Sequence, residues 1–164
     1  MQFVSRVDEQ AIILEMKAVG KESALREVAA LAATQSGLFT EEVVYNVLQE
    51  RESVGSTGVG NGVAIPHGKI AGLKDILLCF ARSKVGLNFD AVDNRPVHLF
   101  VLLLSPADKA AEYLHALAWV SRILKKKENR LQLLNSETRA EIASLFAAFA
   151  EEEKNANRSP ALHP

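Results

Sequence analysis

Two long, mainly apolar runs constrain the fold of this chain more than any other feature of its sequence. One spans residues 76–81 and the other spans residues 97–104, and turn-forming residues bound each of them. Runs of this length are typical of buried β-strands. The sequence therefore predicts two central strands of a sheet, joined through a turn at residues 90–96, and shorter strands at residues 11–18 and 63–65.

Two helices are predicted before the glycine-rich middle of the chain. The segment after Gly20 has apolar residues at helical spacing, and Gly37 is placed to end it. Thr40 is predicted to cap a second helix, because two glutamates follow in the first turn, where the helix dipole favours negative charge. Strands interspersed with helices in 164 residues predict a single α/β domain.

Two more helices are predicted in the second half of the chain. One begins at Ser105-Pro106, with proline in its first turn, and continues through His115 towards a cluster of lysines. The other follows Ser136 and carries an aliphatic and aromatic stripe. Beyond it the chain is charged and contains proline, so we predict a domain of residues 1–150 and a disordered tail of residues 151–164.

Charge and hydropathy exclude several classes of function. The 19 basic and 20 acidic residues nearly cancel, which leaves no electrostatic footprint for a nucleic-acid partner or an anionic membrane. No apolar run approaches the roughly 18 residues that cross a bilayer, and the first residues lack the order of a signal peptide. We therefore expect a cytoplasmic protein without membrane insertion. Its single cysteine, Cys79, is predicted to be a buried and inert core residue.

The segment 51–69, RESVGSTGVGNGVAIPHGK, concentrates residues that suit anion binding. Glycines let the backbone approach a ligand closely, and successive N–H groups form a concavity that accepts an anion. Ser56 and Thr57 can add hydroxyl donors. Arg51 offers a planar, permanently charged fork that matches phosphate geometry. Phosphate is the ligand that this combination favours.

The sequence matches no known nucleotide-binding motif in this segment and no metal-binding motif. Ile70 stands where a P-loop requires serine or threonine, and Val63 stands where the Rossmann fingerprint requires glycine. The histidines and Cys79 lack the close spacing of metal ligands. We expect neither a bound cofactor nor a metal site.

His67 is the candidate nucleophile. It follows the rigid Ile65-Pro66 pair and precedes Gly68, and a neutral imidazole has a lone pair at physiological pH. His115, at the edge of an apolar helix face, can donate a hydrogen bond to a group carried by His67. The residues alone leave open that His67 is a turn histidine, that His115 is a core-edge residue and that Arg51 only ends its helix.

Several motifs, taken in order, resemble the active-site signature of the IIA proteins of the phosphotransferase system, in the fructose, mannitol and nitrogen-regulatory group. They are Arg51-Glu52, Gly55-Ser56-Thr57-Gly58, Gly60-Asn61-Gly62 and Ala64-Ile65-Pro66-His67-Gly68, followed by segments 89–97, 104–108 and 114–117. The resemblance covers about residues 1–150. It implies the mannitol-type IIA fold, a mixed sheet of about five strands with helices on both faces.

The resemblance also implies the roles of individual residues. His67 is then the phosphorylated residue, His115 the second active-site histidine and Arg51 the charged partner of the phosphoryl group. The implied phosphate-binding residues are Ser56, Thr57, Gly58, Asn61 and Gly68. The implied chemistry is that of a phosphotransferase component that works as a carrier between proteins.

The resemblance also implies a partner, an HPr-like phosphocarrier that donates the phosphoryl group to His67. The wording of residues 55–69, in a sequence without IIB or IIC segments, is most similar to the nitrogen-regulatory branch, whose donor is a nitrogen-type HPr and whose phosphorylation state regulates other proteins. Two alternatives stay open: a fructose- or mannitol-type IIA that passes the phosphoryl group to a IIB cysteine, and a binding module that kept the fold without transfer. Val54, Val59 and Ile70 are predicted to form an exposed apolar docking rim.

Overall fold

The computed structural model describes residues 6–158 of the chain. In this part a short 3-10 turn, Glu9–Ala11, precedes six strands and five helices. The strands are β1 (Ile12–Ile13), β2 (Gly58–Gly60), β3 (Val63–Ala64), β4 (His67–Ile70), β5 (Leu77–Leu87) and β6 (Val97–Pro106). The helices are α1 (Lys21–Ser36), α2 (Glu41–Glu52), α3 (Ala110–Lys125), α4 (Lys127–Asn135) and α5 (Arg139–Arg158).

All six strands join one mixed sheet, in the order β1-β5-β6-β3-β2, with β4 also paired to β6. β1 runs parallel to β5, β3 and β4 run parallel to β6, and the β5–β6 and β2–β3 pairs are antiparallel. The predicted single α/β domain with a mixed sheet is confirmed, with six strands instead of about five. One of them, β2, lies in the glycine-rich segment, where the sequence analysis predicted no strand before residue 63.

The two predicted central strands are confirmed as β5 and β6, and both are longer than predicted. β6 is buried along nearly its whole length, as its apolar composition requires. β5 continues to Leu87 because a bulge between Arg82 and Leu87 carries the strand past the end of its apolar run. The predicted strand at residues 11–18 shrinks to the two residues of β1, since residues 9–11 form the 3-10 turn.

A proline interrupts the parallel pairing along β6. β3 pairs Ala64 with Phe100, and β4 resumes by pairing His67 with Leu103. Pro66 has no N–H to continue the ladder. Its carbonyl oxygen accepts the N–H of Leu103 at 2.9 Å, which keeps the chain attached to β6 across the break. His67 is thereby held as the first residue of β4.

Helices cover both faces of the sheet, as the two sides of β4 show. Gly68 faces α2, where an added Cβ would lie 2.5 Å from Cγ1 of Val47. His67 faces α3, where its ring centroid lies 6.0 Å from that of Tyr113. Since successive side chains of a strand point to opposite faces, α2 and α3 lie on opposite sides of the sheet.

The predicted signals around the first two helices are confirmed. Gly37 follows α1 with φ 65°, a left-handed conformation that glycine adopts without steric cost, and its N–H bonds the carbonyl oxygen of Ala33. The side chain of Thr40 accepts the N–H of Val43 at 3.2 Å at the start of α2. Both signals act within a few residues, so they can be recognised from the sequence alone.

The predicted start of the third helix is wrong. Pro106 is the last residue of β6, where it pairs with Ile70, and α3 begins at Ala110. Its buried face starts at Tyr113 and does not include Leu114, which is 65% exposed. The buried residues of this helix are Tyr113, Ala116, Trp119, Val120, Ile123 and Leu124.

The last helix reaches into the segment that the sequence analysis assigned to a tail. α5 continues to Arg158, and Glu153 accepts a hydrogen bond from Arg122 of α3 at 2.6 Å. That ion pair and the run of good helix formers extend the helix past residue 150. The rest of the predicted tail lies outside the described residues, and the boundary between residues 1–150 and 151–164 stays a prediction.

Candidate functional site

Three elements bring charged and aromatic side chains together around His67. Arg51 and Glu52 end α2, and the charges of both act on the His67 ring. Tyr113 on α3 contributes its ring, and Lys69 follows on β4. The site thus combines a half-buried imidazole with one guanidinium, one ammonium, one carboxylate and one phenol.

A single hydrogen bond determines the tautomer of His67. Its Nδ1 lies 2.6 Å from the carbonyl oxygen of Ile65. Because a carbonyl oxygen only accepts, Nδ1 must carry the proton, and the neutral ring then has its lone pair on Nε2. Ile65 and Pro66 lie in the break between β3 and β4. The ring is therefore oriented by the backbone two residues before it.

Burial lowers the pKa of His67 below its usual value of 6.5. The hydrogen bond to Ile65 raises the pKa, the positive charge of Arg51 lowers it, and the negative charge of Glu52 raises it, with burial the largest cause. The imidazole is consequently neutral at pH 7. A neutral, oriented ring with a free lone pair is the form in which histidine acts as a nucleophile.

Arg51 is held by the start of the glycine-rich segment. Its Nη1 donates to the carbonyl oxygen of Gly55 at 2.8 Å, which places the guanidinium at the end of α2 where the dipole favours positive charge. A guanidinium has five N–H donors, so one bond to the backbone leaves it able to bind an anion as well. Its charge acts on both His67 and Tyr113.

Glu52 is a buried carboxylate that the sequence analysis missed as a site residue. It accepts the Thr57 N–H at 2.8 Å and the Thr57 hydroxyl at 2.6 Å, and Nζ of Lys21 lies 3.0 Å from it. A carboxylate removed from water needs such partners. The network ties the start of α1 and the end of α2 to the glycine-rich segment, and no sequence spacing links Lys21 to Glu52.

The two predicted hydroxyl donors are engaged in structural bonds. The Ser56 hydroxyl donates to the carbonyl oxygen of Phe89 at 3.2 Å, and the Thr57 hydroxyl donates to Glu52. A hydroxyl has one proton to donate. To bind phosphate through that proton, each residue would first have to release its present acceptor, so their role as phosphate ligands stays a prediction.

The other predicted phosphate-binding residues also have structural contacts. A Cβ at Gly58 would lie 2.8 Å from the backbone of the loop between β5 and β6, and Gly68 packs directly against α2. Asn61 is an exposed turn residue with φ 59°, and its N–H donates to Asp93 at 3.0 Å. These contacts account for the three residues without phosphate, and their binding role stays a prediction.

His115 lies on the exposed surface of α3, two residues after Tyr113. The ring whose contact with His67 defines this side of the site belongs to Tyr113, which the sequence analysis missed. Its signal was the apolar stripe of α3, which begins at Tyr113 when spacings of three and four are counted. The catalytic role of His115 stays a prediction.

Two of the three residues predicted to form the docking rim are exposed, and their role in docking stays a prediction. Val54 and Val59 are 79% and 51% exposed. Ile70 is only 5% exposed, because it shares the buried face of β4 with Gly68, so its place in the rim is wrong. We call the two exposed residues of this prediction, Val54 and Val59, the apolar rim.

Other sequence expectations concern groups away from this site. Cys79 is fully buried, and burial raises the pKa of its thiol to about 12, as expected of an inert core cysteine. Within residues 6–158 no three histidine, cysteine or acidic side chains are grouped as ligands for a metal ion. None of the helices in that range has the length and hydropathy of a membrane-spanning segment.

Known proteins are similar to this chain in sequence. The family described as "Phosphoenolpyruvate-dependent sugar phosphotransferase system, EIIA 2" matches residues 6–148. A "Nitrogen regulatory protein" of Bradyrhizobium diazoefficiens is 40% identical over 147 residues, which cover 90% of this chain and 95% of that protein. A "PTS system fructose-specific EIIA component" of Haloferax volcanii is 32% identical over 142 residues, covering 87% of this chain and 92% of that protein.

A solved structure extends the likeness to three dimensions. The nitrogen regulatory protein IIA-Ntr from Neisseria meningitidis superimposes with a TM-score of 0.81 at 32% identity, covering 85% of this chain and 95% of that one. The family match spans most of the chain and contains Arg51, His67 and Tyr113. This chain therefore belongs to the EIIA type 2 family of the phosphoenolpyruvate-dependent sugar phosphotransferase system.

Proposed function

We propose that this chain is a phosphohistidine carrier that accepts a phosphoryl group on Nε2 of His67 from an HPr-like phosphocarrier. The observation that carries the proposal is the 2.6 Å bond between Nδ1 of His67 and the carbonyl oxygen of Ile65. That bond leaves the lone pair on the nitrogen that is not bound to the backbone. Membership in a phosphotransferase family supports the same role.

In the proposed step the lone pair on Nε2 attacks the phosphorus of the donor's phosphohistidine. A new N–P bond forms as the donor's N–P bond breaks, and the electron pair of the broken bond returns to the donor's ring nitrogen. The proton on Nδ1 stays in its bond to Ile65, which stabilises the positive charge that develops on the attacking ring. No general base is required, because Nε2 carries no proton.

Arg51 is the residue that we propose to bind the phosphoryl oxygens. Its charge already acts on the His67 ring, and a guanidinium forms paired, charge-assisted hydrogen bonds with phosphoryl groups. Phosphoryl transfer depends mainly on positioning and on stabilising the charge of the transferred group. His115 is proposed as an additional hydrogen-bond donor on the α3 side, as the motif implies.

The nitrogen-regulatory branch is our proposal for the biological role. Identities of 40% and 32% to proteins named as nitrogen regulatory support it. In this role a nitrogen-type HPr is the donor, and the phosphorylation state of His67 regulates target proteins. The second candidate is a sugar-type IIA that hands the phosphoryl group to a IIB cysteine, which the 32% identity to a fructose-specific component favours. A binding module without transfer is the least supported alternative, since the family that this chain matches is described as part of a phosphotransferase system.

The test is phosphoenolpyruvate-dependent labelling of the chain through purified nitrogen-type and sugar-type carriers. We expect one acid-labile, base-stable label, which His67→Ala abolishes. His98→Ala is the matched control, because His98 is also a half-buried strand histidine whose Nδ1 lies 3.0 Å from a carbonyl oxygen, that of Ser83. Label that survives in His67→Ala removes the proposal, and efficient labelling only through the sugar-type carrier favours the second candidate.

A further inference from the structure

Tyr113 contacts both side chains that β4 directs towards α3. Side chains alternate along a strand, so His67 and Lys69 project from the same face while Gly68 and Ile70 project from the other. The Tyr113 ring lies 6.0 Å from the His67 ring, centroid to centroid, with a tilt of 55° between the planes. Nζ of Lys69 lies 5.5 Å from the centroid of the Tyr113 ring.

The surroundings of Tyr113 keep this ring in place. Its side chain is nearly buried in the first turn of α3, and burial raises the pKa of its hydroxyl while the charge of Arg51 lowers it. The phenol therefore stays neutral at physiological pH. The negative face of an aromatic ring attracts an ammonium group, and a tilted ring packed on an imidazole limits its rotation and its access to water.

We propose that Tyr113 is a positioning residue for phosphoryl transfer, which orients the His67 ring from one side and holds the Lys69 ammonium beside the group that Nε2 will carry. Two same-face residues of a strand are about 7 Å apart, a distance that the long lysine stem spans. Lys69 then supplies a second cation, in addition to Arg51, for a phosphoryl group with close to two negative charges. This inference rests on the proposed phosphorylation of His67.

The first experiment removes the ring. Tyr113→Ala is expected to slow donor-to-His67 transfer about tenfold or more, because a misplaced nucleophile loses effective concentration. It should also move the pKa of His67, measured by NMR titration of the unphosphorylated protein, upward towards 6.5 as water reaches the imidazole. Tyr113→Phe keeps the ring and should restore most of the transfer and the lowered pKa.

Tyr45→Ala is the matched control. Tyr45 is 7% exposed against 9% for Tyr113, and its ring also carries a cation, Arg26, at 3.9 Å. This variant should lower the melting temperature to a similar extent without changing the His67 pKa. If Tyr113→Ala and Tyr45→Ala behave alike in both transfer and pKa, Tyr113 is only a packing residue and the inference is overturned.

The second experiment changes Lys69. Because this side chain is exposed, its substitution leaves no cavity that could unfold the protein. Lys69→Gln is expected to slow transfer about three- to tenfold. Lys69→Arg, which keeps a cation able to stack on the ring, should restore it. In the Tyr113→Ala background Lys69→Gln should add little, because the ammonium has already lost its support. Wild-type transfer in Lys69→Gln overturns the inference.

If the wild-type chain takes no label at His67, the proposed function fails, and the NMR titration still decides whether Tyr113 orients His67.

Discussion

At the scale of single residues, the chemistry of the site depends on the backbone conformation around Pro66. Pro66 interrupts the ladder between β3 and β4, and the carbonyl oxygen of Ile65, the residue before it, accepts the Nδ1 proton of His67. The carbonyl oxygen of Ile65 thus selects the tautomer of His67. The lowered pKa of His67 has a separate origin in burial and in the charge of Arg51.

Substitutions of Arg51 should separate charge from geometry. Arg51→Gln removes a positive charge that lowers the His67 pKa, so the pKa is expected to rise and the protonated, unreactive fraction at pH 6 to increase. Transfer should also fall by about ten- to a hundredfold, since the phosphoryl group loses a charged partner. Arg51→Lys keeps the charge, so the His67 pKa should stay near its wild-type value while transfer still falls, because an ammonium lacks the bidentate fork.

NMR titration of the His67 ring and single-turnover transfer from the phosphorylated donor provide the two measurements. Transfer at the wild-type rate in Arg51→Lys would mean that Arg51 only ends α2. An unchanged His67 pKa in Arg51→Gln would show that the charge of Arg51 does not act on the ring.

At the scale of secondary-structure elements, the site is assembled by the close approach of α2 to β4. Gly68 allows this approach, because any side chain there would meet Val47, whose branched Cβ restricts it to few rotamers in a helix. The same packing carries Arg51 and Glu52 at the end of α2 to His67 at the start of β4. Helix and strand therefore position the charged groups without a direct bond between Arg51 and His67.

Gly68→Ala is expected to push α2 away from β4. Its Cβ would lie 2.5 Å from Cγ1 of Val47, and overpacking of this kind costs about 1–3 kcal/mol of unfolding free energy. Transfer should decrease along with stability, since Arg51 moves with α2. The double variant Gly68→Ala, Val47→Ala removes the clash and should recover most of both losses. Denaturant titration and transfer assays measure them, and no recovery in the double variant would show that Gly68 is needed for a reason other than this contact.

At the scale of the whole molecule, the sheet places Val59 of the apolar rim near the site and leaves it exposed. β3 sets Val63 and Ala64 opposite Leu99 and Phe100, whereas His67 lies opposite Leu103. The hairpin that carries Val59 is therefore three or four residues along β6 from His67, about 10–13 Å at the rise of a strand. That distance fits within an ordinary interface of about 800 Å² per partner.

Val59→Asp should therefore weaken transfer from the phosphorylated donor without a large loss of stability. The new carboxylate must be desolvated on docking and repels the phosphoryl group that the donor brings. Leu131→Asp is the matched control, since Leu131 on α4 is 46% exposed against 51% for Val59. Transfer rates and melting temperatures decide the outcome. Equal transfer in the wild type and Val59→Asp, or a collapse of the melting temperature, excludes Val59 from an exposed docking surface.

Local sequence determined much of this architecture by itself. Exposing the apolar runs of β5 and β6 to water would be unfavourable, so both runs form buried central strands. Gly37 and Thr40 end and begin their helices through bonds that span four and three residues. The motif around His67 was readable because the residues that orient its ring, Ile65 and Pro66, precede it directly.

Only the tertiary structure decided which side chains surround His67. The Tyr113 ring lies 46 positions further along the chain, and Lys21 reaches Glu52 from 31 positions before it. Neither distance corresponds to a helical or strand period, so no local pattern predicts the contact. Likewise β2 forms in a glycine-rich segment because β3 supplies its hydrogen-bond partners. Such contacts exist only once the sheet has brought distant segments together, and their free energy depends on the packing of all of them at once.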